Sequence, residues 1–133
     1  MKKNNGMDIP KTLNEIGKEI LEINIANGWC DKQHEVGTYL MLIVSELSEA
    51  MEADRKGKYT EQNSIYNLDL NSDKKFKEIF ETNIKDKFED EIADTIIRCL
   101  DLCARKNIDI DRHIQLKLKY NKTRGYHHGG KKY

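Results

Sequence analysis

The stretch IVSELSEAMEA, residues 43–53, decides the fold. Ile43, Leu47, Ala50 and Met51 recur at three- and four-residue intervals, and Val36 and Leu40 carry the stripe back towards the N-terminus. That is the period of an α-helix with one apolar side turned to a core. Glu46 falls at the edge of this stripe. Glu49 follows three residues later, with Leu42 and Ala53 on the same strip of surface, so the two carboxylates leave one side of the helix about one turn apart. A second stretch, FEDEIADTIIRCL at residues 88–100, repeats the pattern. Phe88, Ile92, Ile96, Cys99 and Cys103 form its stripe, Glu91 and Asp94 its acid pair, with Thr95 and Leu102 beside Glu91. Pairs at this spacing also decorate the solvated faces of highly charged helices, and 35% of this chain is charged. The apolar setting separates the two cases. A carboxylate wedged against a core face is costly unless something positive compensates it. Four carboxylates from two antiparallel helices suit Mg²⁺, a hard cation that keeps waters for a phosphate to displace.

Outward from these stretches the chain reads as helix with almost no strand. Pro10 suits the first turn of a helix over about 11–26, whose stripe is Leu13, Ile16, Ile20 and Ile23. Asn27-Gly28 breaks it. Residues 29–33 connect to a long helix over about 34–55, which Gly57 ends. Residues 58–72, rich in Asn, Ser and Asp, read as a loop. Ser72 or Asp73 caps a short helix from 74 to about 82, with Phe76, Ile79 and Phe80 as its apolar face. Another long helix covers about 85–106, and Asp109 or Asp111 caps a last one through about 123. The expectation is an all-α bundle of four to five helices in one domain, 1–133, with a basic tail over 125–133.

Composition removes several classes. Lys plus Arg and Asp plus Glu balance at 23 each, so net charge directs the chain neither to nucleic acid nor to a membrane surface. The balance is uneven along the chain, with six Lys or Arg and no Asp or Glu between Lys117 and Tyr133. No apolar run approaches the roughly 20 residues of a membrane span, and MKKNNGMDIP lacks the apolar segment of a signal peptide. Cys30, Cys99 and Cys103 are an odd number without a C-x-x-C pair; Cys99 and Cys103 share a face with isoleucines and read as buried thiols. A cytoplasmic location is the expectation.

Other residues carry two readings each. Trp29, the one tryptophan, is a buried anchor or a platform for a nucleobase. His34 is a polar residue at a helix start or a substrate contact. Lys117, Lys119, Asn121, Lys122 and Arg124 are cations complementing a helix C-terminus or a phosphate clamp. His127 and His128, adjacent between glycines, make a poor metal pair.

The combination Glu46-x-x-Glu49 then Glu91-x-x-Asp94, each in a long helix, resembles the MazG family of all-α nucleoside triphosphate pyrophosphohydrolases, a group that includes dCTP pyrophosphatases and is related to the dimeric dUTPases. LIVSELSEAMEADRKGK and EIADTIIRCLDLCARKNIDID resemble the two metal-binding helices of small members, and KLKYNKTRGYHHGGKKY resembles the closing basic segment. The likeness covers residues 29–57 and 85–133. Forty-one residues separate Glu49 from Glu91, more than the family usually has, so 58–84 reads as an insertion. The resemblance implies a MazG-type bundle assembled as a dimer or tetramer. It implies Mg²⁺, or Mn²⁺, on Glu46, Glu49, Glu91 and Asp94, and hydrolysis of a nucleoside triphosphate to monophosphate and pyrophosphate. Glu49 is the preferred general base. Lys117, Asn121, Lys122, Arg124 and Tyr126 fall where the family contacts phosphate and base, with Trp29 or Tyr126 to stack on the base. Met41 and Val44, outside the main stripe, fit burial against another subunit. Rival readings are a related enzyme acting on dUTP or phosphoribosyl-ATP, and a non-enzymatic helical module binding nucleic acid through its basic tail. A di-iron bundle is disfavoured, because no His stands three residues after a Glu on these helices.

Overall fold

A computed structural model of the chain describes residues 11–125 apart from 31 and 67. Five α-helices carry the fold: α1 (Leu13–Ala26), α2 (Val36–Arg55), α3 (Asp73–Asn83), α4 (Phe88–Arg105) and α5 (Ile110–Thr123). Among the described residues there is no strand, so the all-α expectation holds. Within the expected loop, Gln62–Ile65 form a single 3₁₀ turn.

Local chemistry explains most of the boundaries. The Thr12 hydroxyl accepts from Glu15 N at 3.2 Å to cap α1. Ser72 caps α3 through Lys75 N, and Asp109 caps α5 through Arg112 N, each satisfying an otherwise unpaired amide. Pro10 lies outside the described residues. After α2, Gly57 takes φ +64, the left-handed turn that glycine accepts without strain. Lys58 N then donates back to Ala53 O at 2.9 Å.

α4 is the central helix, packing against α2 on one side and α1 on another; α5 touches α1. α1 approaches α4 at Gly17, where a Cβ would stand 3.0 Å from Leu100 O and 3.6 Å from Ala104 Cβ. The N-termini of α1 and α5 cap one another. Asp111 accepts from Leu13 N and Asn14 N at 3.2 and 2.9 Å, while Ile110 N donates to the Asn14 side chain at 3.0 Å.

α2 and α4 are antiparallel: Glu46 pairs with Arg98, Glu49 with Glu91, and Lys58 O accepts from Phe88 N at 2.9 Å. The start of the expected insertion is stapled to the beginning of α4. Thr60 N donates to Glu89 Oε2 at 2.8 Å, and the Tyr59 and Phe88 rings lie 5.1 Å apart.

Burial departs from expectation on α2 and α4. The buried residues are Glu46, Ala50 and Ala53 on α2, and Glu91, Leu100 and Asp101 on α4. The stripe read as core is largely open: Leu40, Leu47, Met51 and Ile96 are each about half exposed, and Cys99 is exposed with Cys103 half-buried. The helical period holds, but the stripe is not the side that this chain buries. Relative to the acids, both stripes sit about a quarter turn round their helices in the same sense. On antiparallel helices that places them on one side of the α2–α4 pair, facing away from α4 and α2 themselves. Met41 and Val44 are exposed as well. Among the described residues, Ile20, Ala50, Ala53 and Leu100 are the buried apolar side chains, a small core for a chain of this length.

Candidate metal centre

The two antiparallel helices bring acids together from residues about 45 apart in sequence. Glu46, Glu91 and Asp94 each offer a carboxylate oxygen, and these oxygens lie within 4.8 Å of one another. Glu46 and Glu91 are 7% and 5% exposed, and Asp94 is half-buried. Burial, followed by the charge and hydrogen bond of Glu49 and the charges of Glu46 and Asp90, pushes Glu91 up to about 7. Burial, Asp90 and Glu46 also raise Asp94, against the lowering effect of Arg98. The carboxylates are therefore crowded, with Arg98 as the cation beside them. An all-oxygen donor set in that condition fits a hard divalent cation, Mg²⁺ or Mn²⁺.

Glu49 stands apart from this trio. Its side chain is exposed and meets Glu91. The cause is axial register. On antiparallel helices, three residues forward on α2 run about 4.5 Å towards the N-terminus of α4, which takes Glu49 away from Asp94 and towards Asp86. There it lines a cleft of about 210 Å³ with Glu52, Ala53, Lys56, Lys58, Asp86 and Glu91. Asp86, Asp90 and Glu91 form a second group of oxygens within 4.8 Å.

Sequence reasoning overlooked several of these groups. Arg98 Nε donates to Glu46 Oε1 at 2.5 Å; its position one turn after Asp94 on the same helix was the available signal. Lys58 reaches the cleft because the Gly57 turn folds the chain back, and its ammonium makes no ion pair among the described residues. Lys56 pairs with Glu52 at 3.1 Å. Asp86, at φ +61, donates its N–H to Asp90 Oδ2 at 3.0 Å, and no periodicity marks a residue in a turn.

The expected substrate residues are not gathered at this centre within one chain. Lys117, Asn121, Lys122 and Arg124 lie exposed on and after α5, with Lys117 and Arg124 placed over the Tyr120 ring at 5.1 and 5.9 Å. Tyr126, His127 and His128 fall outside the described residues. Trp29 is 72% exposed, which overturns its reading as a buried anchor. The cause is its place in a turn: Trp29 N bonds Asn24 O at 2.9 Å, and the side chain is left beyond the end of α1. His34 packs edge-on to Tyr39 at 5.7 Å and borders a cleft of about 580 Å³ with Cys30, Gln33 and Arg105. Arg105 is fixed there by Asp101 at 2.7 Å and lies over the Tyr39 ring at 5.0 Å. It is two turns, about 10 Å, beyond Arg98 along α4.

No family model, no curated protein and no solved structure matches this chain. No described helix is long and apolar enough to cross a membrane.

Proposed function

We propose that this chain is a MazG-like pyrophosphohydrolase that cleaves a nucleoside triphosphate, with water, to a monophosphate and pyrophosphate. The observation that carries the reading is the meeting of Glu46, Glu91 and Asp94 from two antiparallel helices, with Glu91 pushed up to about 7 by burial and by its acidic neighbours. Like charges held this close disfavour ionisation of one another, and a divalent cation would relieve that repulsion.

Glu46, Glu91 and Asp94 would hold Mg²⁺ or Mn²⁺. When bound, such an ion supplies charge for the phosphate oxygens and lowers the pKa of a coordinated water. The remaining work falls to the chain. Glu49, exposed at the cleft beside Glu91, would take the proton from the attacking water. Lys58 and Lys56 border the same cleft and offset charge on the oxygens of the leaving pyrophosphate. Trp29, His34 and Tyr126 are the candidates for contact with the base.

The active species is a homo-oligomer in this reading. The open stripe of Leu40, Leu47, Met51 and Ile96 on one side of the α2–α4 pair is suited to a second copy, which would complete a four-helix core. The cations of α5 then serve a neighbouring subunit's site, since they do not approach the acids of their own chain. A soluble cytoplasmic setting accords with this chemistry.

The test is a panel of canonical and modified nucleoside triphosphates with Mg²⁺, dUTP and phosphoribosyl-ATP included, with products separated into mono- and diphosphates. Pyrophosphate release is expected, together with a rise in melting temperature at millimolar Mg²⁺ through preferential binding to the folded state. Salt-sensitive polynucleotide binding without pyrophosphate release would favour the interaction module instead.

A further inference from the structure

Of the carboxylates at the centre, Glu46 makes the one ion pair found among the described residues, and its partner is Arg98. The geometry is specific. The bond runs from Nε, at 2.5 Å, to a side chain 9% exposed, while the Arg98 side chain is 38% exposed. The two Nη groups make no hydrogen bond among the described residues. The guanidinium is therefore attached by its inner edge, with its outer edge open. It also takes one of the two oxygens of Glu46, a residue of the trio able to hold a metal. The carboxylate has two oxygens, but a divalent ion on it would repel the guanidinium at such short range and weaken its hold on Arg98.

We propose that Arg98 is an exchangeable counter-ion. It neutralises Glu46 while the carboxylates lack a metal, leaves when a divalent cation takes the cluster, and then presents its guanidinium to the phosphates of the substrate. The inference rests on the metal reading above and adds a role to a residue that reading does not use. Both halves follow from the chemistry of the guanidinium. Arg is always charged and well suited to phosphate oxygens through its paired N–H groups. Arg98 lies one turn from Asp94 on the same face of α4, so a rotamer change rather than a backbone movement is enough to release Glu46.

The test uses the full-length protein with Arg98→Met, which keeps the stem and removes the charge. Binding of MgCl₂ alone is measured by calorimetry at pH 8. Loss of a competing charge-assisted hydrogen bond is expected to tighten Mg²⁺ binding by about tenfold. Inhibition by inorganic pyrophosphate is expected to weaken in the same variant. A residue that merely braces the fold would not move these two constants in opposite directions. Unchanged or weaker Mg²⁺ binding overturns the exchange, and unchanged pyrophosphate inhibition overturns the hand-over to phosphate. Absence of any Mg²⁺ binding by the wild type sinks the metal reading itself and the proposal with it, a result separable from the other two. Should Arg98→Met fail to fold, the wild type still decides. The side-chain Nε–H resonance of Arg98, protected in the metal-free protein, is expected to lose that protection on saturation with Mg²⁺. Its persistence in the metal-bound protein refutes the exchange.

Discussion

Replacing Glu91 with Gln is expected to stabilise the metal-free protein at pH 8, although it alters one of the most buried polar residues of the chain. The Glu91 carboxyl is raised from its ordinary 4.5 to about 7 by burial and by Glu49, Glu46 and Asp90. At 1.36 kcal/mol per unit, that difference corresponds to about 3 kcal/mol of penalty on the charged form in the folded state. The figure is an upper one, because solvent screening relieves part of the penalty. The sign follows from linkage. A carboxyl whose folded value is raised binds its proton more tightly in the native state, so the native state gains as pH falls from about 7 towards 4.5 and carries the full penalty above 7. The amide of the variant is nearly isosteric, has no charge to desolvate, and its N–H can donate to Glu49. Urea unfolding in EDTA should show Glu91→Gln more stable than wild type at pH 8, with the gap closing as pH approaches 4.5. With Mg²⁺ the order should reverse, since the variant lacks a ligand that the wild type uses. A variant that is less stable than wild type at pH 8 in EDTA, or a gap that does not change with pH, would refute the reasoning.

Three further outcomes are expected. Gly17→Ala places a Cβ 3.0 Å from Leu100 O, backbone that must give by a few tenths of an ångström, and should cancel the roughly 1 kcal/mol that alanine gains inside a helix, leaving no net stabilisation in the same urea assay; a gain of that full amount would mean that α1 and α4 are not in such close contact. Leu47→Lys, on the open stripe and 48% exposed in one chain, should shift the species seen by light scattering towards monomer with helix content unchanged. An unaltered mass removes this stripe from the subunit interface. Truncation after Leu116 leaves the Asp109, Ile110 and Asp111 contacts with α1 in place and should raise KM for nucleotide, whereas normal kinetics would take the basic segment out of the mechanism.

What the chain's order of residues settled was local. Helical period, the capping residues Ser72 and Asp109, the break at Asn27-Gly28 and the stop at Gly57 each act within a turn or two of backbone, so the helices lie within a few residues of where the sequence puts them. The same holds for the placement of each acid pair on one side of its helix. Tertiary structure decided how the helices are rotated and slid against one another. That register brought Glu46 level with Arg98 and left Glu49 outside the trio. It also faced Ala50, Ala53, Glu46 and Glu91 inward and sent the larger apolar residues outward. A 3.6-residue period identifies an apolar side but carries no label for the surface that will cover it, because a stripe awaiting another helix of the same chain and one awaiting a second molecule have the same spacing. The encounter of side chains from distant segments depends on packing energies summed over whole helices, and those become readable only when the helices are seen together.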